Sequence, residues 1–228
     1  MGSVEGAFGY GRLFVASGGG GGPSGSLRVN VIGDSSIASV ITGLQTAKTA
    51  LGYSNVTMTY TSTLLNNYTG SNLTLANFDT ALLWTNGGIT FNASFGSNLN
   101  SFITSGGPVV FGVFCWGSVP AITNFTYSNS PYAFKGSQAN QVATMTKTVA
   151  SPITSNISTN ITASATFYTP TVTVQSNATS IATFPDGTSM VATQTTPRRV
   201  AVNLYAVIGT APGYQLYLNS LLWSGGLL

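Results

Sequence analysis

The sequence predicts an α/β protein built on a mostly parallel sheet flanked by helices, and three observations carry that prediction. Short apolar runs alternate with amphipathic segments from residue 27 to residue 114. Between about 118 and 197, Thr, Ser and Val alternate with a period of two, as in "QVATMTKTV" and "ATFYTPTVTVQSN", marking an antiparallel β elaboration. Ahead of both, a Gly/Ser run at 18–26 sets apart an extended N-terminal arm, residues 1–17.

Taken in order, "LRVNVIG" (27–33) is the first strand. Asp34-Ser35-Ser36 follows with the side chains of an N-cap, and Ile37, Val40, Ile41, Leu44, Ala47 and Leu51 recur at helical spacing behind it. "GYSN" (52–55) stops that helix before the strand "VTMTYT" (56–61). "TALLWT" (80–85) is nearly all apolar, as a strand buried on both faces must be, and "NGG" (86–88) turns out of it. A helix over about 94–104 presents Leu99, Phe102 and Ile103 on one face, and "PVVFGVF" (108–114) is the next strand. This β-α-β-loop-α-β order implies right-handed crossovers and a flavodoxin-like sheet, with ligand sites expected at the strand C-terminal ends. Asp186-Gly187 between two alternating runs predicts a hairpin, "RVAVNLYAVIG" (199–209) a last buried strand, and "YQLYLNSLLWSGG" a closing helix.

Composition narrows the chemistry. Only 5% of the 228 residues are charged, the acidic ones being Glu5, Asp34, Asp79 and Asp186, and there is no histidine. The net charge of +3 comes from scattered cations with no cluster beyond Arg198-Arg199, so no nucleic-acid partner is expected. A metal site wants His or several Cys, and the chain has one cysteine, Cys115; no metal or other cofactor is expected. The three aspartates of the main domain have structural explanations: Asp34 as a helix cap, Asp79 at a strand start, Asp186 in a turn. No run of about twenty apolar residues exists to span a membrane. The first residues lack the basic and apolar regions of a secretory signal, which fits a mature chain or a start at Met1.

A surface made of Ser, Thr, Asn and Gly suits an extracellular or cell-surface protein. Eight sequons point the same way: Asn55, Asn67, Asn72, Asn92, Asn124, Asn156, Asn160 and Asn177 are candidate N-glycosylation sites, although chance alone would give about five at this composition. Trp84, Trp116 and Trp223 could form a sugar platform, but each lies in or beside an apolar run and is expected in the core.

The segments "VNVIGDSS", "NFDTALLWTNGG", "LNSFITSGGPVVFGVFCW", "SPIT", "IATFPDGTSMVA", "RRVAVNLYAV" and "LYLNSLLWSGG", in that order over 27–228, resemble the class I glutamine amidotransferase-like fold. The likeness is to its secreted, non-catalytic relatives in bacterial surface proteins. In active members a Gly-x-Cys-x-Gly turn presents a cysteine activated by a histidine paired with a glutamate. Here Gly112-Val113-Phe114-Cys115-Trp116-Gly117 is one residue longer before the cysteine, and Ser151-Pro152-Ile153 stands where relatives tend to have His-Pro-Ile. Without a base, a thiol of pKa about 8.5 is only a few per cent thiolate near neutrality.

The sequence therefore predicts a non-enzymatic structural subunit of an extracellular filament or surface layer. Its arm, with Tyr10, Leu13, Phe14, Val15 and Ala16, would add a strand to a neighbouring copy, making a homo-oligomer. The alternative is a carbohydrate- or partner-binding module of a larger secreted protein, using Asp34, Asn86, Gly87, Cys115 and Trp116 at the strand ends.

Overall fold

The computed structural model describes residues 22–85, 91–116, 122–134, 139–141, 144–161, 166–168, 172–207 and 210–228. The arm residues Tyr10, Leu13, Phe14, Val15 and Ala16, and the turn residues Asn86 and Gly87, lie outside these segments. In chain order the elements are β1 (Gly25–Gly33), α1 (Ile37–Ala50), β2 (Val56–Leu64), β3 (Thr80–Leu83), α2 (Ala93–Thr104), β4 (Val109–Phe111), β5 (Tyr132–Phe134), β6 (Ala139–Gln141), β7 (Thr146–Lys147), β8 (Thr166–Tyr168), β9 (Thr173–Val174), β10 (Thr179–Thr183), β11 (Ser189–Thr195), β12 (Arg198–Val202) and α3 (Ala211–Ser224).

The main sheet has the order β2-β1-β3-β4-β12-β11-β10-β7. Its first five strands are parallel and the last three antiparallel. The parallel part has the flavodoxin-like order, with the chain reversing its direction of winding between β1 and β3. The predicted antiparallel elaboration is therefore partly an extension of the main sheet. The rest forms two small pairs, β5 with β9 and β6 with β8.

Alternation along the strands divides the core in two. Val29, Val31, Leu82, Trp84, Val110 and Val200 face α1 and α3, where Val40, Leu44, Leu218 and Leu222 meet them. Ile32, Leu83, Val109, Phe111 and Ala201 face α2, where Phe95, Leu99 and Phe102 close over them. Two glycines permit close approach. A Cβ on Gly43 of α1 would come within 2.5 Å of ring carbons of Tyr214 on α3, and one on Gly33 closer still to the Trp84 indole.

Four local expectations are corrected. Asp34 does not cap α1: the N-cap is Ser36, held left-handed at φ 55° with no side-chain cap bond, and the Asp34 carboxylate is engaged elsewhere. The apolar run at 108–114 pairs only over β4, because at Gly112 the chain leaves the sheet. Likewise, among the described residues of the run at 199–209, pairing is confined to β12, which begins at Arg198 and ends at Val202. Both runs stay apolar beyond pairing because they continue into the core, with Val113 and Leu204 fully buried. At the other end of the chain β1 begins at Gly25, inside the expected linker. The hairpin between β10 and β11 forms as expected, with Gly187 at φ 84° and Asp186 Oδ1 accepting from the Thr188 amide at 2.9 Å.

Candidate functional site

At the C-terminal ends of β1 and β3, the crevice that an open α/β sheet offers to ligands, the structure gathers a small polar cluster. Thr85 Oγ1 donates to Asp34 Oδ2 at 2.9 Å, and Ser35 Oγ donates to Asp34 Oδ1 at 3.1 Å. The Ser35 hydroxyl also lies 3.3 Å from that of Tyr205. Burial raises the Tyr205 hydroxyl above its ordinary pKa of 10.0, the Ser35 bond opposes the shift and the Asp34 charge adds to it. Asp34 was legible in the sequence as a candidate. Thr85 could have been found from the same crevice argument, since it lies just beyond the end of β3; nothing in the sequence singles out Tyr205.

Beside this cluster lies the turn after β4. The Gly112 amide donates to Leu83 O at 2.7 Å and that of Val113 to Leu204 O at 3.4 Å, so the chain is fastened as it leaves the sheet. Phe114 then takes a left-handed conformation, φ 68°, which is unusual and costly for a bulky residue. Phe114 is also two residues after Gly112, the spacing at which the Gly-x-Cys-x-Gly turn places its cysteine. In this chain the residue at the bend is a phenylalanine, and Cys115 follows it.

Cys115 and Trp116, weighed in the sequence as ligand contacts of a binding module against a place in the core, are core residues: they are 1% and 0% exposed. The Trp116 ring meets Tyr132 edge-on, with centroids 4.9 Å apart, and the Tyr132 hydroxyl lies 3.1 Å from that of Ser189. On the other side of Gly112, the Tyr217 hydroxyl donates to Leu204 O at 2.5 Å. Burial pushes the hydroxyls of Tyr132 and Tyr217 above their ordinary 10.0. Such groups stay neutral and act as hydrogen-bond donors inside the core.

Ser151-Pro152-Ile153 lies elsewhere. Ile153 is buried in the cluster that packs against α1 and α3, whereas Cys115 belongs to the cluster under α2. Asn219 of α3 donates to Ile153 O at 3.2 Å and accepts from the Tyr53 hydroxyl at 3.2 Å, fixing the turn to the helices. No cluster of His, Cys, Asp or Glu that could hold a metal occurs among the described residues.

Another cleft lies at the opposite end of the sheet. About 640 Å³ in volume, it is lined by Arg28, Asp79, Pro108, Arg198, Ser224 and Gly226, at the N-terminal ends of the parallel strands. Its cations are committed. Arg28 Nη2 lies 2.8 Å from Asp79 Oδ1, and Arg198 Nη1 donates to Trp223 O at 2.7 Å while its guanidinium sits 5.2 Å from the Trp223 ring centroid. Trp84 and Trp116 are fully buried in different core clusters and Trp223 is half-buried at this far end, so the three do not form a platform.

Seven sequon asparagines are exposed and Asn92 is half-buried. Several have backbone or packing duties of their own. Asn92 caps α2, its side chain accepting from the Ser94 amide, and Asn177 accepts from Gln194 at 2.6 Å. Asn67, Asn124 and Asn156 are left-handed, at φ 63°, 63° and 56°, a conformation asparagine tolerates better than other residues with a Cβ.

These features define a flavodoxin-like α/β fold whose chain bends sharply at Phe114 after the fourth parallel strand, β4. Solved structures agree on the fold. A ThuA-like protein from Bacteroides uniformis matches over 95% of this chain and 95% of its own, at 9% identity and a TM-score of 0.56. One from Parabacteroides merdae matches over 89% and 91%, at 9% identity and a TM-score of 0.57. A GMP synthase component from Thermoplasma acidophilum covers 86% of this chain and 92% of its own, at 11% identity and a TM-score of 0.50. At such identities the likeness is one of fold alone. No protein-family model and no curated protein matches the sequence. Among the described residues, no helix is long and apolar enough to cross a membrane.

Proposed function

We propose that the protein is a non-enzymatic structural subunit of an extracellular, self-assembling filament or surface layer, joined to its neighbour by strand addition of the arm at residues 10–16. The observation that carries the reading is the filled turn: Phe114 occupies the bend, and Cys115 and Trp116 behind it are core. A scaffold with hydrophobic packing at that place, and with no histidine anywhere in the chain, is suited to shape rather than turnover. The near absence of charge removes the repulsion that keeps most proteins apart, which favours association. Head-to-tail strand addition does not close on itself and so propagates. Sequon glycans would add bulk to the assembly's surface.

Deletion of residues 1–17, which leaves β1 whole, tests the reading by negative-stain microscopy of the secreted protein. Filaments or lattices lost on deletion are expected; assemblies unchanged by it would rule out the arm mechanism.

A second reading, a carbohydrate- or partner-binding module, is favoured by the Asp34–Thr85–Ser35–Tyr205 cluster, which lies in a natural ligand crevice. Specific glycan binding that is lost in Asp34→Ala would support it over the structural role.

A further inference from the structure

The two edges of the main sheet differ. On one side it ends in β7, two residues long and carrying Lys147, paired to a β10 whose register with β11 is irregular. On the other it ends in β2, nine residues long, of sequence VTMTYTSTL. Short, charged and irregular edges resist further pairing; a long edge with neither charge nor proline invites it. Among the described residues only β1 pairs with β2. Met58 and Tyr60 of β2 are half-buried against the core beneath α1 and α3, and Leu64 at its end is 57% exposed.

The chain outside the described residues ends beside this edge. Gly25 is in register with Val56, and its amide donates to Asn55 O at 3.0 Å, so residues 1–21 join the domain next to the start of β2. The apolar segment Tyr10–Ala16 would extend about 23 Å, within the roughly 30 Å of β2. Its alternate residues Tyr10, Phe14 and Ala16, or Leu13 and Val15, would lie over Tyr60 and Leu64. A strand folding back on its own subunit needs only about two to five connecting residues. The connection from Ser17 to Ser24 reaches up to about 28 Å, enough to cross to a neighbouring copy.

We infer that the outer edge of β2 is the acceptor, and that its occupant is residues 10–16 of a second copy of this chain. The inference rests on the arm-addition reading above and names the surface that reading leaves open.

The test pairs cysteines in the full chain, where the native Cys115 is buried. Leu13→Cys/Thr61→Cys and, independently, Val15→Cys/Thr59→Cys are oxidised under mild conditions and run on non-reducing gels; Thr59 and Thr61 are exposed. Disulfide-linked ladders or dimers in either pair support the inference. An intrachain bond, or no bond in both pairs, overturns it. Thr59→Lys/Thr61→Lys separates the two claims: loss of assembly in both this variant and the 1–17 deletion fits the edge. Loss only in the deletion refutes β2 while keeping the arm, and loss in neither refutes the arm itself. Mixing the deletion with the lysine variant is expected to give 1:1 heterodimers, one supplying the arm and the other the edge; free monomers alone would overturn the pairing.

Discussion

Arg28 and Asp79 clasp the starts of β1 and β3 from both main chain and side chain. The Arg28 amide donates to Asp79 Oδ2 at 2.8 Å, its Nε to the same oxygen at 3.2 Å, and the Asp79 amide returns a bond to Arg28 O at 2.9 Å. The guanidinium also holds the carbonyls of Leu75 and Ala76. Asp79→Ala is expected to cost about 1–2 kcal/mol, the lost amide acceptor dominating because the arginine is 42% exposed and its charge well screened. Urea unfolding checks this; an unchanged midpoint would show the clasp to be idle.

Gly96 sits within α2, where alanine would normally gain about 1 kcal/mol. Here a Cβ would fall well inside van der Waals contact with the carbonyl oxygen of Thr123 and crowd the Phe125 amide, and backbone cannot swing aside as a side chain can. The clash outweighs the propensity. Gly96→Ala should lower stability by about 1–3 kcal/mol, and a thermal melt showing a gain would disprove the close approach.

Ser36 looks like a helix cap in the sequence and makes no cap bond in the structure. Ser36→Gly removes the left-handed penalty of about 1–2 kcal/mol against an entropy cost of about 0.5–1, for a net gain of about 0.5 kcal/mol. A capping serine replaced by glycine would instead lose a few tenths of a kcal/mol, so any loss of stability in Ser36→Gly would mean that the serine does cap.

A histidine placed at position 151 should not create a reactive thiol. Position 151 belongs to a turn fixed to α3 through Asn219, and Cys115 lies in the other core cluster. Ser151→His is therefore expected to leave Cys115 alkylation as slow as in the parent until urea is added. Fast iodoacetamide labelling of the folded variant would contradict the placement.

With no histidine, no side chain of this protein has an ordinary pKa near 6.5, and the tyrosines set the alkaline limit. Tyr60, Tyr132 and Tyr217 are raised above 10.0 by burial. A raised folded-state pKa gives stability that is complete below the unfolded value of about 10 and is lost as pH climbs beyond it. The slope is about 1.4 kcal/mol per pH unit for each such tyrosine. Unfolding midpoints should fall steeply above about pH 10, less so in Tyr217→Phe; a flat profile to about pH 11 would refute the burial of these hydroxyls.

The parallel core was legible because burial on both faces forces continuous apolar runs, as in "TALLWT", and α1 because Val40, Leu44 and Ala47 repeat at helical spacing. Strand ends were not, since Val113 and Leu204 are buried without sheet pairing and hydrophobicity does not distinguish the two. The pairs β5 with β9 and β6 with β8 were legible only as antiparallel β texture: strands of two or three residues are too short for a period of two to fix their ends or their partners. At the candidate site, Asp34 was visible as a carboxylate at a strand end. One of its partners, Thr85, lies 51 positions away, and a local cap was the nearer explanation.

The left-handed asparagines at 67, 124 and 156 divide what a sugar-removal experiment measures. The customary replacement by glutamine would delete an acceptor and also force a longer side chain into a mirror-image backbone, costing about 1 kcal/mol or more at each turn. Glycine erases the same acceptor and keeps the bend. At Asn55, Asn72 and Asn160 glutamine carries no such penalty. Comparing the two replacements, site by site, would tell loss of a glycan from loss of a turn.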